Sequence, residues 1–294
     1  MSNWIPKAIA ILGITTALTG MSTLVYAQRS QTPQTISQAT PSQPPPANNP
    51  PVNNRPDLTL LAKSMIKFLQ NDSYETESQM QLNAVSQGTS VTLSVQVKTI
   101  AQTPNKFRSD IAFLPLSGLT TNSYTIVTDG QQLWTYKANV KKYAVSTYQN
   151  FQKSNDSFFI GIPSFMFLQM APLFRQLITE NDVSSTDLME FLEEMFQSNK
   201  VSVKGNSLNI QGREYYSYEI EAPKKDYKFT VLIAQETAII EEIKMSGKWQ
   251  NTDITLTEKI ISRIARTSLA NNTFIFSPPP ETTKVPSISI EPFD

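Results

Sequence analysis

The sequence predicts an α+β fold in which a long antiparallel sheet curls around an apolar interior. Two runs of alternating apolar and polar residues, Tyr74 to Ala84 and Val91 to Lys98, predict neighbouring antiparallel strands with one buried face. A second group of strand-like runs begins at Lys200. Between the two groups, residues 158–196 carry apolar side chains at helical spacing, so a pair of helices is expected to interrupt the sheet.

Residues 1–27 have the features of a cleavable export signal. Lys7 is the only charge before Arg29, Ala8 to Leu18 is apolar, and Val25-Tyr26-Ala27 is a small-x-small cleavage site. The apolar run is shorter than the ~20 residues that a membrane-spanning helix needs. The chain has no cysteine, so no lipid can be attached through a thioether. We therefore expect cleavage after Ala27 and a soluble product, in the periplasm or outside the cell.

Residues 28–56 are predicted to form a disordered linker rich in Pro, Gln and Asn. They contain eight prolines and few apolar side chains, so they cannot bury enough surface to offset the entropy lost on ordering. The roughly 230 residues that follow are enough for one domain with a substantial core.

The composition excludes several kinds of catalytic and metal site. The chain has no histidine and no cysteine, which rules out Ser-His-Asp and Cys-His nucleophile systems and histidine-ligated metals. Gly205, Gly212 and Gly247 are isolated, so no phosphate-binding loop is present. Lys and Arg balance Asp and Glu at 25 each, and no basic stripe indicates nucleic acid. The sequence argues against an enzyme, although carboxylate chemistry stays possible in principle, and it predicts no cofactor.

The first ordered elements are predicted to be a helix and three strands. Asp57 is a plausible helix cap. Gln87-Gly88 is expected to join the two alternating strands, and "KFRSDIAFLP" predicts the third. The apolar residues at helical spacing are Leu58, Leu61, Met65, Phe68 and Leu69.

A hairpin centred on Asp129-Gly130 is predicted to have apolar side chains on both faces. A two-residue type I′ turn there would pair Ile126 with Leu133 and Thr125 with Trp134. One face would then hold Tyr124, Ile126 and Leu133, and the other Val127, Trp134 and Tyr136.

Two helices and a second group of strands follow the hairpin. "PSFMFLQMAPLFRQLI" is apolar nearly all round, with Pro172 expected to kink it. Ser184 and Asp187 form a predicted capping box for "DLMEFLEEMFQ". Strands then resume, with tight turns expected at Gly205-Asn206 and Gly212, and are expected to end in "NTFIFSPPP".

Several of these segments resemble the periplasmic lipoprotein-carrier superfamily, the LolA and LolB proteins and their relatives. "TPNKFRSDI" followed by "VTDGQQLWTYKANVKKY" is similar to the P-N-x-F segment and S-D-G-x-x-L-W-x-Y hairpin of that family. "GIPSFMFL" is similar to the start of its helical lid, and "NTFIFSPPPETTKV" to its closing strand. The matching positions are Pro104, Asn105, Phe107, Asp129, Gly130, Leu133, Trp134, Tyr136, Phe274, Phe276, Pro278 and Pro279.

The resemblance implies an unclosed, strongly curved β-barrel with an N-terminal helix and a helical lid over an apolar cavity. It divides the chain into a signal peptide (1–27), a linker (28–56), a LolA-like lipid-binding domain (57–286) and a C-terminal tail (287–294). One departure concerns the arginine that precedes the P-N-x-F proline in lipoprotein carriers and helps to latch the lid. Thr103 occupies that position here, which weakens the case for a lipoprotein as cargo.

The predicted ligand-binding residues lie mainly in the lid. Residues 158–196 hold seven of the fifteen phenylalanines and four methionines, and methionine is common where varied apolar ligands bind. On the residues alone, a role in the core is favoured; with the resemblance, we expect these side chains to line a cavity. The predicted ligand-binding residues are Phe165, Phe167, Met170, Leu188, Met189, Leu192, Met195 and Trp134.

The resemblance implies a periplasmic binder or carrier of lipid or lipoprotein acyl chains, working with a membrane-bound donor or acceptor protein. The alternative is a periplasmic sensor or protein-interaction module of the same fold with no transport role. Lipids extracted from the purified protein would discriminate between the two.

Overall fold

The computed structural model describes residues 56–86, 89–114, 122–180, 184–221, 227–249 and 252–291. The predicted export signal, almost all of the predicted linker and the Gln87-Gly88 turn lie outside these residues.

Helices precede the sheet and interrupt it, as the sequence predicts. The helical elements are α1 (Thr59–Leu69), α2 (Tyr148–Lys153), a 3₁₀ helix (Asn155–Ile160), α3 (Ile162–Glu180) and α4 (Ser185–Ser198). The strands are β1 (Ser73–Ser86), β2 (Thr89–Gln102), β3 (Lys106–Phe113), β4 (Ser123–Thr128), β5 (Gln132–Lys137), β6 (Lys142–Thr147), β7 (Ser202–Ile210), β8 (Arg213–Glu221), β9 (Tyr227–Ala234), β10 (Ile239–Trp249), β11 (Thr252–Ala265) and β12 (Thr283–Lys284).

The described strands form one twelve-stranded sheet in the order β12-β6-β5-β4-β3-β2-β1-β11-β10-β9-β8-β7. All neighbours are antiparallel except the two-residue β12, which pairs in parallel with β6. The sheet curves without closing, so β12 and β7 remain at its two ends. This confirms the predicted fold class.

The core lies between the inner face of the sheet and the helices. Val95 and Val97 of β2 are buried there as the alternation predicts, whereas Gln96 and Lys98 are exposed. Helix α1 packs its predicted apolar face onto this interior. Asp57 accepts a hydrogen bond from the Thr59 backbone N–H (2.8 Å), so it satisfies one of the free donors at the start of α1.

The hairpin between β4 and β5 has the predicted faces but not the predicted register. Thr128 pairs with Leu133 and Val127 with Trp134, which leaves a four-residue loop and shifts the pairing by two positions. The Asp129 carboxylate accepts from the backbone N–H groups of Gln131 and Gln132, both at 2.8 Å. This side-chain turn stabilises the longer loop. A shift of two keeps every side chain on its predicted face.

The predicted turn at Gly205-Asn206 is wrong, because both residues lie inside strand β7. A Cβ atom at Gly205 would lie 2.3 Å from the Tyr216 hydroxyl oxygen, so glycine is needed there for close packing against the ring. The predicted turn at Gly212 is confirmed. Gln211 (φ 53°) and Gly212 (φ 82°) connect Ile210 to its partner Arg213, which is the two-residue turn that was predicted for Asp129-Gly130.

The C-terminal segment differs from the prediction in two ways. "NTFIFSPPP" forms no strand, and the last strand is the short β12. The packed structure also continues past the predicted boundary at residue 286, because Ile290 is buried in the core cluster. The Tyr124 hydroxyl donates a hydrogen bond to the backbone oxygen of Glu291 (2.9 Å), which fixes this end of the chain to β4.

Candidate functional site

An apolar cavity of about 70 Å³ lies between three helices and the second half of the sheet. Helices α1, α3 and α4 cover it, and strands β8, β9 and β10 form its floor. Every side chain that lines it is hydrophobic: Leu61, Met65, Phe68, Leu69, Met166, Met170, Phe174, Leu192, Met195, Phe196, Ile220, Phe229, Val231 and Ile240. Such a space offers burial for hydrocarbon and no hydrogen-bond partner for a polar ligand.

Helices α3 and α4, which we call the lid, are positioned by local signals in the sequence. The predicted capping box is confirmed: Ser184 and Asp187 each accept a hydrogen bond from the other's backbone N–H. Helix α3 continues through Pro172. Phe174 and Phe191 meet edge to face at 5.9 Å between ring centroids, which joins the two helices.

Three of the predicted ligand-binding residues, Met170, Leu192 and Met195, line the cavity. They project from both lid helices, and the structure brings them together at one cavity. Met65 of α1 and Met166 of α3 add two further thioethers to the lining. Thioether side chains are flexible, so this lining can adapt to ligands of different shape.

Other predicted residues of the lid pack beside the cavity. Phe167 is buried against Phe68 and Tyr74, with ring centroids 6.4 and 5.2 Å away. Phe165 packs on Phe158 at 5.2 Å. Leu188 is buried in the core cluster, and the half-buried Met189 accepts a hydrogen bond through Sδ from the Thr59 hydroxyl (3.3 Å). These four side chains position the lid.

Trp134 lies away from the cavity, on the opposite face of the sheet from Leu133. Its ring stacks on Phe276 at 6.4 Å, and Tyr136 and Tyr143 contact the same phenylalanine at 6.1 and 5.8 Å. This arrangement explains why both faces of the hairpin are apolar. The inner face packs in the core, and the outer face is covered by the C-terminal segment.

The cavity residues of α1 and the sheet were not predicted from the sequence, and neither were Met166, Phe174 and Phe196 of the lid. The helical spacing of Leu61, Met65 and Phe68 shows that they share a face, but it does not show what that face contacts. The strand residues, such as Phe229 and Val231, are separated from the lid in sequence. Only the topology, which places β9 and β10 beneath the helices, brings these groups together.

Glu258 of β11 is a fully buried acid next to the lid. It is 0 % exposed and accepts hydrogen bonds from the Ser78 hydroxyl (2.5 Å) and the Ile162 backbone N–H (2.6 Å). Burial raises the pKa of the Glu258 carboxyl to about 7, and the two hydrogen bonds oppose this shift. The sequence carried a signal for this residue, since it occupies an inward position in the alternation Ile254, Leu256, Glu258.

Arg263 of β11 brings a guanidinium group against aromatic rings of α1, β1 and α3. Its Cζ lies 4.0 Å from the centroid of Phe68, 3.9 Å from Tyr74 and 5.3 Å from Phe167. It donates hydrogen bonds to the Thr76 hydroxyl (3.0 Å) and the Phe68 carbonyl (3.1 Å). Burial lowers the pKa of this guanidinium to about 9, so it stays charged at neutral pH and holds the rings by cation–π contacts.

Comparisons with known proteins find similar folds in solved structures only. No protein-family model matches the chain, and no curated protein matches its sequence. LprF from Mycobacterium bovis has 10% identity over 74% of this chain and 96% of its own, with a TM-score of 0.38. A putative outer membrane lipoprotein-sorting protein domain from Vibrio parahaemolyticus has 12% identity over 73% and 95%, with a TM-score of 0.31. A LolA superfamily protein from Nitrosomonas europaea has 11% identity over 73% and 97%, with a TM-score of 0.28.

The likeness concerns the fold alone.

Proposed function

We propose that this protein is a periplasmic binder and carrier of lipid or lipoprotein acyl chains, which it holds in the cavity under the lid. The observation that carries the proposal is the lining of that cavity, which consists of hydrophobic side chains contributed by helices on one side and strands on the other. A hydrocarbon chain gains about 0.8 kcal/mol per buried methylene, so apolar burial alone suffices for retention.

The size of the cavity implies that the lid moves when a ligand enters. About 70 Å³ is well below the ~300 Å³ at which ligand pockets usually begin. An acyl chain therefore has to displace the lid or the side chains beneath it. The methionines of both lid helices support this movement, because thioethers repack with little strain.

Transfer between membranes fits the energetics of such a site. A bilayer offers an acyl chain a similar gain from burial, so a carrier is nearly isoenergetic with its donor membrane. Small changes in lid packing then decide between loading and release.

Among the described residues, no helix is long and apolar enough to cross a membrane.

Export to the periplasm is part of the proposal and rests on the sequence pattern of residues 1–27. Sequencing the amino terminus of the exported protein is expected to begin at Gln28, after cleavage behind Ala27.

Lipid extraction from the exported protein tests the proposed function. The full chain is expressed with its export signal, purified without detergent, extracted with organic solvent and analysed by mass spectrometry. We expect an acyl-bearing molecule at close to one per protein molecule. A ligand-free protein that does not bind a fluorescent fatty acid would contradict the proposal, and a co-purifying partner protein would then favour the sensor alternative.

A further inference from the structure

The entry into the lid is fixed to the sheet at the junction Ile160-Gly161-Ile162. The Thr99 hydroxyl of β2 donates a hydrogen bond to the Ile160 carbonyl (2.7 Å). The Ile162 N–H, at the start of α3, donates to the Glu258 carboxylate (2.6 Å). Strands β2 and β11 therefore hold the first turn of α3 from two directions, and Glu258 makes the only side-chain contact with its backbone N–H groups that the described residues show.

Glu258 has both carboxyl oxygens engaged and is shielded from water. Oε1 contacts the Ser78 hydroxyl and Oε2 the Ile162 N–H, and a Cβ atom on Gly161 would lie 2.8 Å from Oε1. Gly161 (φ 89°) therefore lets the backbone approach the carboxyl closely. The Ile162 N–H belongs to the amino-terminal, positive end of the α3 dipole.

No cation that the structure describes neutralises this carboxyl. On β11 the inward Arg263 is engaged with aromatic rings and Thr76, and in the 3₁₀ helix Asp156 faces Ile290. Helix α3 carries no charged residue from Ile162 to Phe174. The other charged residues of β1, β2, β10 and β11 lie on the outer face: Glu75, Glu77, Lys98, Glu241, Glu242, Lys244, Lys248, Asp253 and Lys259.

The closed lid therefore favours the protonated form of Glu258. A neutral carboxyl can keep both contacts, because Oε2 still accepts from Ile162 while the acid proton is donated to Ser78 Oγ. An ionised carboxylate in the same place loses its hydration without gaining a cation. When the first turn of α3 moves away, water reaches the carboxylate and ionisation becomes favourable. Opening of the lid is thereby coupled to release of one proton.

We propose that Glu258 is a pH-responsive latch of the lid, which holds the first turn of α3 on the sheet when protonated and releases it when ionised. The latch deepens the proposed function, on which it rests for the biological role of the lid. Burial raises the pKa of this carboxyl to about 7, so the change falls near neutral pH. A carrier with this latch opens more often as the pH rises from acid to neutral and above.

Hydrogen exchange of the ligand-free mature chain tests the latch. Protection of the amides of Ile162 and of residues 164–168 is measured between pH 5.5 and 8.5 and corrected for the intrinsic chemical rate at each pH. We expect protection in the wild type to fall on the order of tenfold or more across this range. The same amides in Glu258→Gln should show no such fall, because the amide side chain keeps both contacts and does not titrate. The hairpin β4–β5 serves as the internal reference.

Identical pH profiles in the wild type and Glu258→Gln would overturn the proposal. If Glu258→Gln does not fold, Ser78→Ala decides instead. The Ser78 hydroxyl favours the ionised carboxylate, so its loss should move the midpoint of the wild-type profile to higher pH, and an unmoved midpoint would overturn the latch. The result does not depend on a ligand. A pH-dependent lid in a protein that binds no fatty acid would leave the latch standing and refute the proposed function.

Discussion

At the scale of single residues, Glu258 links the stability of the fold to pH. Burial raises the pKa of its carboxyl in the folded protein to about 7, from an ordinary value of 4.5. Between these two values the unfolded chain has lost the proton that the folded chain keeps, so stability falls as the pH rises through this interval. Asp156 acts in the same direction, since burial raises the pKa of its carboxyl to about 6.

We predict that Glu258→Gln removes this part of the pH dependence. Relative to the variant, the wild type should lose about 3 kcal/mol of unfolding free energy between pH 4.5 and 7, from about 1.36 kcal/mol per pKa unit. Urea unfolding at several pH values measures the difference. If the unfolding free energies of the two proteins change with pH in parallel, Glu258 ionises normally in the folded state.

Gly161 shows how close the backbone comes to that carboxyl. Gly161→Ala adds a methyl group 2.8 Å from Glu258 Oε1 at a φ of 89°. Gly212→Ala serves as the comparison, because Gly212 also has a positive φ (82°) but its Cβ would meet nothing within 4 Å; at Gly161 a ψ of 133° adds backbone strain to the contact with Glu258. Gly212→Ala should lower the free energy of unfolding by about 1 kcal/mol, because alanine disfavours a positive φ. Gly161→Ala should lower it clearly more. Equal losses in chemical unfolding would show that the junction can relax away from Glu258.

At the scale of elements, the hairpin β4–β5 shows what a local pattern can and cannot predict. Alternation fixes which side chains share a face, and those faces are confirmed. The register depends on the loop. There the Asp129 carboxylate accepts hydrogen bonds from backbone N–H groups that would otherwise pair between the two strands. An Asp-Gly pair alone does not reveal that competition. The partner of the outer face, Phe276, comes from a distant segment that the sequence analysis assigned to a strand.

We predict that Trp134 and Phe276 stabilise the fold as a pair. Trp134→Ala should lower the unfolding free energy by about 2 kcal/mol, less than for a fully buried tryptophan because the side chain is half-buried. Phe276→Ala should lower the unfolding free energy less in the Trp134→Ala background than in the wild type. A double-mutant cycle measures the coupling, which we expect at about 1 kcal/mol. Additive losses would mean that the C-terminal segment does not hold the hairpin.

At the scale of the whole molecule, the sequence predicted the class of fold and the identity of the lid. The two groups of strands, the capped helix α4 and the apolar helix α3 each have strong local periodicity, which is why they were predictable. The cavity was only half predictable. Met170, Leu192 and Met195 belong to the lid, whereas Met65, Phe229 and Ile240 reach the same space through long-range packing. The position of a half-buried charge such as Arg263 also depends on tertiary partners that no short pattern shows.

The central claim is that the space under the lid binds hydrocarbon and does not merely complete the core. Met195 and Met245 form a matched pair for this question. Both are 8 % exposed and belong to the core cluster, but only Met195 lines the cavity. Replacing either by Gln introduces an amide of similar length, which costs roughly 1–3 kcal/mol where it stays without partners. Movement of the lid lets water reach an amide at position 195, which relieves part of this cost.

The most direct measurement is the affinity of a fluorescent fatty acid for these two variants and the wild type, together with their thermal midpoints without ligand. We predict that Met195→Gln keeps a midpoint close to that of the wild type and binds the probe several-fold more weakly. Met245→Gln should unfold at a lower temperature and bind normally per folded molecule. If both variants unfold alike and neither loses affinity, the helices are core and the claim of a lipid-binding cavity is contradicted.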